Sequence, residues 1–92
     1  MPDSSSRPIV EIYTSPFCGY CGRAKALLQQ KGVTFQEYDV MMDSGLRAVM
    51  TERARGDHRV PQVFINDEHI GGSDKLMMLE MSGGLDAKLA SA

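Results

Sequence analysis

The stretch "IVEIYTSPFCGYCGRAKALL", residues 9–28, decides the fold of this 92-residue chain. Its first six residues are mostly apolar, β-branched or aromatic, which is typical of a buried strand. From Tyr20 onward the apolar positions recur at helical spacing, with Cys21, Ala24 and Leu27 on one face. The two cysteines of the chain, Cys18 and Cys21, are therefore predicted to lie where a strand gives way to a helix.

The remainder of the chain alternates between strand-like and helix-like segments separated by glycines. The predicted elements are a helix over 20–31, a strand over 33–40, a helix over 44–55, two short strands on either side of Asn66-Asp67, a helix capped by Ser73 or Asp74, and a short helix after Gly84. The order β-α-β-α-β-β-α indicates an α/β domain. We expect a four-stranded mixed sheet with helices on both faces.

The chain is short enough to form one domain. Residues 1–7 are small and polar and are interpreted as a flexible tail, which leaves residues 8–92 for the domain. The methionines, including Met77, Met78 and Met81, are interpreted as flexible core filler.

The charge balance argues against two classes of partner. The formal net charge is −2, so neither nucleic acid nor an anionic membrane surface is expected to attract the chain. No apolar run approaches the roughly 20 residues that a membrane span requires. The first residues lack the basic and apolar regions of a secretory signal. We therefore expect a cytoplasmic monomer in a reducing compartment.

A pair of cysteines two residues apart could serve as a structural bridge, half of a metal site or a redox switch. A disulfide between Cys18 and Cys21 would close a very small loop and so remove little chain entropy. A zinc site needs two further ligands, and the histidines His58 and His69 are distant from the pair and not spaced as ligands. We interpret His69 as a strand residue. A C-x-x-C motif at a strand-to-helix junction favours the redox interpretation.

The position of Cys18 suggests how the two sulfurs differ. The unpaired N–H groups and the macrodipole at a helix N-terminus favour negative charge, and the thiolate is the form that attacks a disulfide. Cys21 lies one turn further along and on the buried side of the helix. Cys18 is therefore predicted to be the nucleophile, and Cys21 the partner that can close a disulfide with it.

Two segments carry a resemblance to a known family. "VEIYTSPFCGYCGRAKALLQQKGVTFQEYDV", residues 10–40, and "VPQVFINDEHIGGSDKL", residues 60–76, resemble the two halves of the glutaredoxins, and specifically their short bacterial dithiol type. The resemblance extends over residues 8–90 and implies a thioredoxin-like fold. It implies a glutathione-dependent thiol–disulfide oxidoreductase that reduces protein–glutathione mixed disulfides through Cys18, with Cys21 required for some protein disulfides.

The resemblance also implies a glutathione-binding groove. In the family an aromatic side chain packs beside the tripeptide, the backbone before a cis-proline pairs with the cysteine of glutathione, and a helix N-terminus with an acidic residue holds the γ-glutamyl end. The positions of this chain that match are Tyr20, Val60, Pro61, Gly72, Ser73 and Asp74.

The chain departs from the family pattern at two positions that usually contribute to this groove. Many relatives have a lysine three residues before the first cysteine, where this chain has Ser15, and a threonine before Val-Pro, where it has Arg59. We expect Arg59 to supply the positive charge for the glycyl carboxylate of glutathione. Arg53 and Arg55 are the candidates to assist it.

The residue after the first cysteine leaves a second function open. Gly19 stands where redox-only relatives commonly have proline, and glycine is conformationally free and retains its N–H. Some relatives with a non-proline residue there bind a [2Fe–2S] cluster in a dimer, through this cysteine of each chain and two glutathiones. The alternative is thus a cluster-bridged dimer ligated by Cys18, acting as a cluster carrier or redox sensor.

Overall fold

The computed structural model describes residues 8–90, so the predicted tail over residues 1–7 lies outside the described part of the chain. The elements are β1 Val10–Thr14, α1 Gly19–Gln30, β2 Gln36–Asp39, α2 Ser44–Arg53, β3 Gln62–Ile65, β4 Glu68–Gly71, α3 Ser73–Met81 and α4 Gly84–Ala90. Their order confirms the predicted β-α-β-α-β-β-α succession, with α4 as the short final helix. Within residues 8–90 no helix is long and apolar enough to span a bilayer.

The four strands form one mixed sheet in the order β2-β1-β3-β4. β1 and β2 are parallel, whereas β1–β3 and β3–β4 are antiparallel. The two strands of the last pair are joined by Asn66 and Asp67, which both have positive φ values, 51° and 68°. Two such residues in succession suit the right-handed twist of a tight hairpin. The mixed four-stranded sheet is therefore confirmed.

Helices cover both faces of the sheet because its strands alternate their apolar side chains. One face carries Val10, Ile12, Val63 and Ile65, and these pack against buried residues of α1, α3 and α4. The other face carries a smaller cluster, centred on α2 and on the aromatic residues of β1 and β3; its buried members are Tyr13, Val40, Met50, Ala54 and Phe64. This two-sided core makes β1 and β3 the central strands of the domain.

Helix α1 is held against the sheet by the face that its spacing predicts. Cys21, Ala24, Leu27 and Leu28 are all buried, and the last three belong to the larger apolar cluster. Because α1 begins five residues after β1 ends, this packing fixes the helix N-terminus at the carboxyl end of a central strand. The cysteine pair consequently rests on two rigid elements.

Two predicted elements are shorter in the structure. β2 covers Gln36–Asp39 rather than residues 33–40, because it is an edge strand whose register extends only along Glu11–Thr14 of β1. Val33 and Phe35 still pack against the core from the preceding loop. Helix α2 ends at Arg53 rather than at residue 55.

The prediction that the methionines fill the core is wrong for most of them. Among the methionines of residues 8–90, Met50 alone is buried, whereas those of α3 and of the β2–α2 loop are exposed. Leu76, Leu85 and Leu89 fill the space between α3, α4 and the sheet instead.

Candidate active site

Cys18 is the N-cap residue of α1. Its backbone is extended, with φ −108° and ψ 107°, and its sulfur accepts a hydrogen bond from the backbone N–H of Cys21 at 3.2 Å. No acidic residue occupies the first turn of the helix. The sulfur therefore takes the place of a capping oxygen, where the helix N-terminus stabilises a negative charge.

Cys21 differs from Cys18 in its access to solvent. Cys21 is only 2% exposed, whereas Cys18 is half-buried, and both are free thiols. Burial raises the pKa of the Cys21 thiol to about 12, and the hydrogen bond and charge of Cys18 act in the same direction. A hydrogen bond to the backbone of Ser15 opposes this rise in pKa. Cys21 is thus held as a neutral thiol while Cys18 is accessible.

The loop before Cys18 presents an aromatic residue to solvent. Phe17 has a positive φ of 62° and its side chain is fully exposed. Tyr20, the second residue of α1, is 64% exposed, and the guanidinium of Arg23 lies 5.6 Å from the centre of its ring. The accessible thiol is therefore flanked by two exposed aromatic rings.

A groove of about 630 Å³ begins at Tyr20 and runs between the start of β3 and the start of α3. It contains every residue predicted for glutathione binding: Tyr20, Val60, Pro61, Gly72, Ser73 and Asp74, which the resemblance implies, and Arg59, which stands in place of the family's usual threonine. Its other lining residues are Asp57, Gln62, His69, Ile70, Gly71 and Lys75. The structure thus brings together seven residues that are separated by up to 54 positions in the sequence.

One wall of the groove is the segment before β3. The peptide bond between Val60 and Pro61 is cis, as the resemblance implies. The opposite wall approaches it closely, since a Cβ atom added to Gly72 would lie 3.3 Å from the carbonyl oxygen of Pro61. Glycine at this position therefore allows the two walls to come together.

The opposite wall ends in the N-terminus of α3, and here the predicted cap is wrong. Neither Ser73 nor Asp74 caps the helix, because both lie within it; the N-cap residue is Gly72, which has no side chain to accept a hydrogen bond. Asp74 is nevertheless exposed in the first turn. The helix thus begins at the groove with no side-chain cap on its amide groups.

Arg59 lies in the groove but already has a partner. Its Nε and Nη2 atoms donate to the two carboxylate oxygens of Asp57, at 3.0 and 2.9 Å. This hydrogen bonding holds the pKa of Asp57 well below its usual range. Because the pairing uses the Nε side of the guanidinium, the Nη1 edge of Arg59 is left for a further acceptor. Asp57 is a groove residue that sequence reasoning missed.

The two arginines expected to assist Arg59 do not line the groove. Arg53 is bound by Glu11 at 2.8 Å and by Asp67 at 2.9 Å, and its guanidinium lies 4.1 Å from the centre of the Phe64 ring. Arg55 is exposed, with a positive φ of 58°, beyond the end of α2. Arg53 is therefore a structural cation on the α2 face of the sheet, and that part of the prediction is wrong.

Two further groove residues escaped sequence reasoning, Gln62 and His69. Gln62 is 1% exposed, and its side chain bonds the carbonyl oxygen of Arg59 and the ring of His69. The expectation that His69 is a strand residue is confirmed, since it lies in β4. The sequence did carry a sign of this pair: Gln62 precedes an apolar run predicted to be a strand, and a buried amide requires hydrogen-bond partners.

The residues that could hold an iron–sulfur cluster are few. Among residues 8–90 no group of three or more histidine, cysteine or acidic side chains is placed to bind a metal ion. Cys21 is buried, so one chain would offer a cluster the accessible thiol of Cys18. The remaining thiolates would come from a second copy and from glutathione, which matches the donor set of the alternative function. The cluster-bridged dimer stays a prediction.

Comparisons with known proteins agree with this arrangement. A family model described as glutaredoxin matches residues 10–70. Glutaredoxin 3 of Escherichia coli is 51% identical over 80 residues, which cover 87% of this chain and 95% of that relative. The solution structure of glutaredoxin from Brucella melitensis superposes with a TM-score of 0.82 at 47% identity, covering 97% of this chain and 96% of that one.

A third relative is known with a ligand. The crystal structure of a buckwheat glutaredoxin–glutathione complex superposes with a TM-score of 0.81 at 30% identity, covering 89% of this chain and 76% of that chain. Three findings agree: the matched family model, the identity that extends along nearly the whole of each bacterial relative, and the cysteine pair at the strand-to-helix junction. This chain belongs to the glutaredoxin family of thiol–disulfide oxidoreductases.

Proposed function

We propose that this protein uses glutathione to reduce protein–glutathione mixed disulfides and protein disulfides in the cytoplasm. The observation that carries the proposal is the groove, in which the six residues matched to the family's glutathione site lie together with Arg59. The buckwheat relative of the same fold is a glutathione complex, which supports the choice of ligand.

The first reaction needs Cys18 alone. Its thiolate attacks the glutathione sulfur of the mixed disulfide, the protein thiolate leaves, and Cys18 becomes bonded to glutathione. The thiolate of a second glutathione then attacks the glutathione sulfur of that bond, which forms glutathione disulfide and returns Cys18 as a thiolate. Across both steps one protein thiol is released, one free glutathione is consumed, and one glutathione disulfide forms from it and the glutathione of the substrate.

The second reaction uses both cysteines. Cys18 attacks a protein disulfide and forms a mixed disulfide with the substrate. Cys21 loses its proton and attacks the sulfur of Cys18, which releases the reduced substrate and leaves a Cys18–Cys21 disulfide. Bonding of Cys18 removes its negative charge, which is one cause of the raised pKa of Cys21. Cys21 therefore loses its proton more easily once Cys18 has reacted, while burial, the largest cause of its raised pKa, remains.

The charges of the groove suit the two ends of glutathione. The uncapped amide groups at the start of α3 suit the γ-glutamyl carboxylate, and Asp74 suits the neighbouring ammonium. Arg59 at the other wall suits the glycyl carboxylate through its open Nη1 edge. Between them the backbone of Val60 can pair with the cysteine of the ligand in the manner of an added strand.

The test compares Cys18→Ser with Cys21→Ser. With a glutathionylated peptide as substrate and glutathione as reductant, Cys18→Ser is expected to abolish turnover, whereas Cys21→Ser retains it. With a protein disulfide as substrate, we expect both variants to lose activity. Turnover of the glutathionylated peptide by Cys18→Ser would overturn the proposal, and so would a wild-type protein that shows no saturation with that peptide.

The alternative has a separate test. Anaerobic purification in the presence of glutathione and iron is followed by visible absorbance and by size-exclusion chromatography. A cluster bound through Cys18 predicts a coloured dimer that Cys18→Ser abolishes and Cys21→Ser retains. A colourless monomer from the wild-type protein contradicts the cluster-bridged dimer and leaves the enzymatic proposal unaffected.

A further inference from the structure

Gln62 is a buried polar residue in the first position of β3, and its side chain joins three parts of the groove. Its Nε2 atom donates to the carbonyl oxygen of Arg59 at 3.0 Å, and its Oε1 atom lies 2.6 Å from Nε2 of His69. It also helps to lower the pKa of the Asp57 carboxyl. The glutamine is therefore held from β4 and in turn holds the loop that precedes the cis-proline.

The direction of these hydrogen bonds follows from their partners. A carbonyl oxygen only accepts, so Gln62 must donate its amide to Arg59 and offer Oε1 to His69. The Nε2 atom of His69 therefore carries a proton, which holds for the neutral tautomer and for the imidazolium alike. The ring of His69 also packs against Phe64, with ring centres 5.1 Å apart.

Holding the carbonyl of Arg59 has a consequence for the next residue. This carbonyl and the N–H of Val60 belong to one planar peptide unit and point in opposite directions. When Gln62 fixes the carbonyl, it fixes the direction of the Val60 N–H as well. That N–H belongs to the Val60 backbone, which is proposed above to pair with the cysteine of glutathione.

We propose that His69 and Gln62 are positioning residues, which lock the Arg59–Val60 peptide in the orientation that receives the cysteine backbone of glutathione. The proposal rests on the proposed function. It adds a series of hydrogen bonds that runs from His69 in β4 through the buried Gln62 to the carbonyl oxygen of Arg59. Neither residue touches the reacting sulfur atoms in the proposed reaction. Their loss should consequently weaken substrate binding and leave the chemical step unchanged.

Three substitutions of His69 separate the hydrogen bond from the packing. In glutamine the amide nitrogen lies about as far along the side chain as Nε2 of histidine, so His69→Gln can still donate to Gln62. In asparagine the amide nitrogen matches Nδ1 instead, so His69→Asn falls short. His69→Phe keeps an aromatic ring against Phe64 and cannot donate.

The expected effects on turnover of a glutathionylated peptide follow from loss of one hydrogen bond. His69→Phe and His69→Asn should raise KM about 3- to 10-fold with kcat unchanged, and His69→Gln should stay within about 2-fold of the wild-type KM. Gln62→Glu should raise KM similarly, since a carboxylate keeps the bond to His69 but has no donor for the carbonyl of Arg59.

A binding measurement gives a readout that a structural role alone would not affect. Titration with S-methylglutathione, which cannot react, should shift the amide resonance of Val60 in the wild-type protein and in His69→Gln. We expect that shift to be smaller in His69→Phe at the same fractional saturation. Thermal unfolding of each variant shows whether the fold is retained.

The outcomes distinguish the two proposals. If His69→Phe is folded and has the wild-type KM, or if His69→Gln is no better than His69→Phe, the positioning role is wrong while the glutathione site stands. If the wild-type protein shows no shift with S-methylglutathione and no saturation, the glutathione site itself is wrong and the positioning role fails with it.

Discussion

The amide nitrogen of Cys21 lies 3.2 Å from the sulfur of Cys18 and donates a hydrogen bond to it. The two cysteines thus belong to one helical turn, yet one sulfur is accessible and the other is packed beneath the helix. This asymmetry gives the two thiols different reactivities before any substrate is present. This difference underlies the two roles proposed above, in which Cys18 attacks the substrate and Cys21 attacks the sulfur of Cys18.

The first prediction concerns the rate at which each cysteine is alkylated. In folded protein at pH 7.5, iodoacetamide should modify Cys18 and leave Cys21 essentially unmodified, because burial raises the pKa of Cys21 to about 12. Since only the thiolate reacts, the two rates should differ by about 100-fold or more. Timed alkylation followed by intact-mass measurement and peptide mapping gives both rates.

Cys18→Ser provides the matched control for this experiment. Burial is the main cause of the raised pKa of Cys21 and does not depend on Cys18, so Cys21 should remain slow in the variant. In concentrated urea both cysteines should react at similar rates. Two adducts forming at equal rates in the folded wild-type protein would show that Cys21 is not protected.

The second prediction concerns Arg59 and the glycyl carboxylate. Arg59→Ala should raise KM for a glutathionylated peptide about 3- to 10-fold, as expected for loss of a charge-assisted hydrogen bond at an exposed site. With a substrate whose glycyl carboxylate is an ethyl ester, the wild-type protein and Arg59→Ala should have similar KM values. Steady-state kinetics on the two substrates measures this difference.

Arg55→Asn is the matched control because it removes a positive charge from the same loop at a residue that does not line the groove. Asparagine also tolerates the positive φ of this position. Its KM for the acid should stay near the wild-type value. An equal rise in KM for both arginine variants would attribute the effect to general charge, and an unchanged KM in Arg59→Ala would remove Arg59 from the site.

Local patterns were sufficient to predict the framework of the site. The strand-to-helix junction follows from periodicity, and it places Cys18 at the helix N-terminus and Cys21 on the buried face. The resemblance then identified six residues that the fold gathers into one groove, and the departure at Arg59 identified a seventh. These features depend on short-range sequence and on a topology that a β-α-β start largely determines.

Other features arise only from contacts between distant segments. The hydrogen bond between Gln62 and His69 needs the register of β3 against β4, which contains an irregularity beside Val63. Arg53 forms an ion pair with Glu11 of β1, because a cation stabilises that half-buried carboxylate. The sequence shows each of these side chains but not the distance between them.

The third prediction compares two glycines of the site. Gly71 has a positive φ of 121°, and a Cβ atom there would lie 2.9 Å from Cγ of Lys75. Gly71→Ala should therefore destabilise the protein by about 1–3 kcal/mol. Gly19 is the first residue of α1 and has open space around it, so Gly19→Ala should stabilise by about 0.4–1 kcal/mol.

Urea denaturation of both glycine variants, followed by circular dichroism, gives the free energies of unfolding. Retained turnover in Gly19→Ala would show that the helix start accepts a side chain without disturbing Cys18. If Gly71→Ala unfolds at the same urea concentration as Gly19→Ala, the positive φ of Gly71 is not a constraint on the fold.

The fourth prediction concerns the ion pair that joins α2 to β1. The guanidinium of Arg53 bonds Glu11 at 2.8 Å, and this interaction lowers the pKa of Glu11 from 4.5. A lowered pKa in the folded state contributes stability above the unfolded value, and that contribution is lost as the pH falls through the folded value. Arg53→Met, which leaves Glu11 half-buried without its cation, should cost about 2 kcal/mol at pH 7.

The size of that loss should depend on pH in a defined direction. In the variant, burial without the cation raises the pKa of Glu11, so Glu11 becomes protonated there first as the pH falls and no longer needs a cation. The difference in free energy of unfolding between wild type and Arg53→Met should therefore shrink progressively as the pH falls. Adding Glu11→Gln to Arg53→Met should recover part of the loss at pH 7.

Lys25→Met is the control. It breaks the more exposed pair with Glu37 at 3.0 Å and should change stability by about 0.5 kcal/mol or less. An Arg53→Met deficit that is the same at pH 3 and pH 7 would assign the role of Arg53 to its packing on Phe64 instead of to the ion pair.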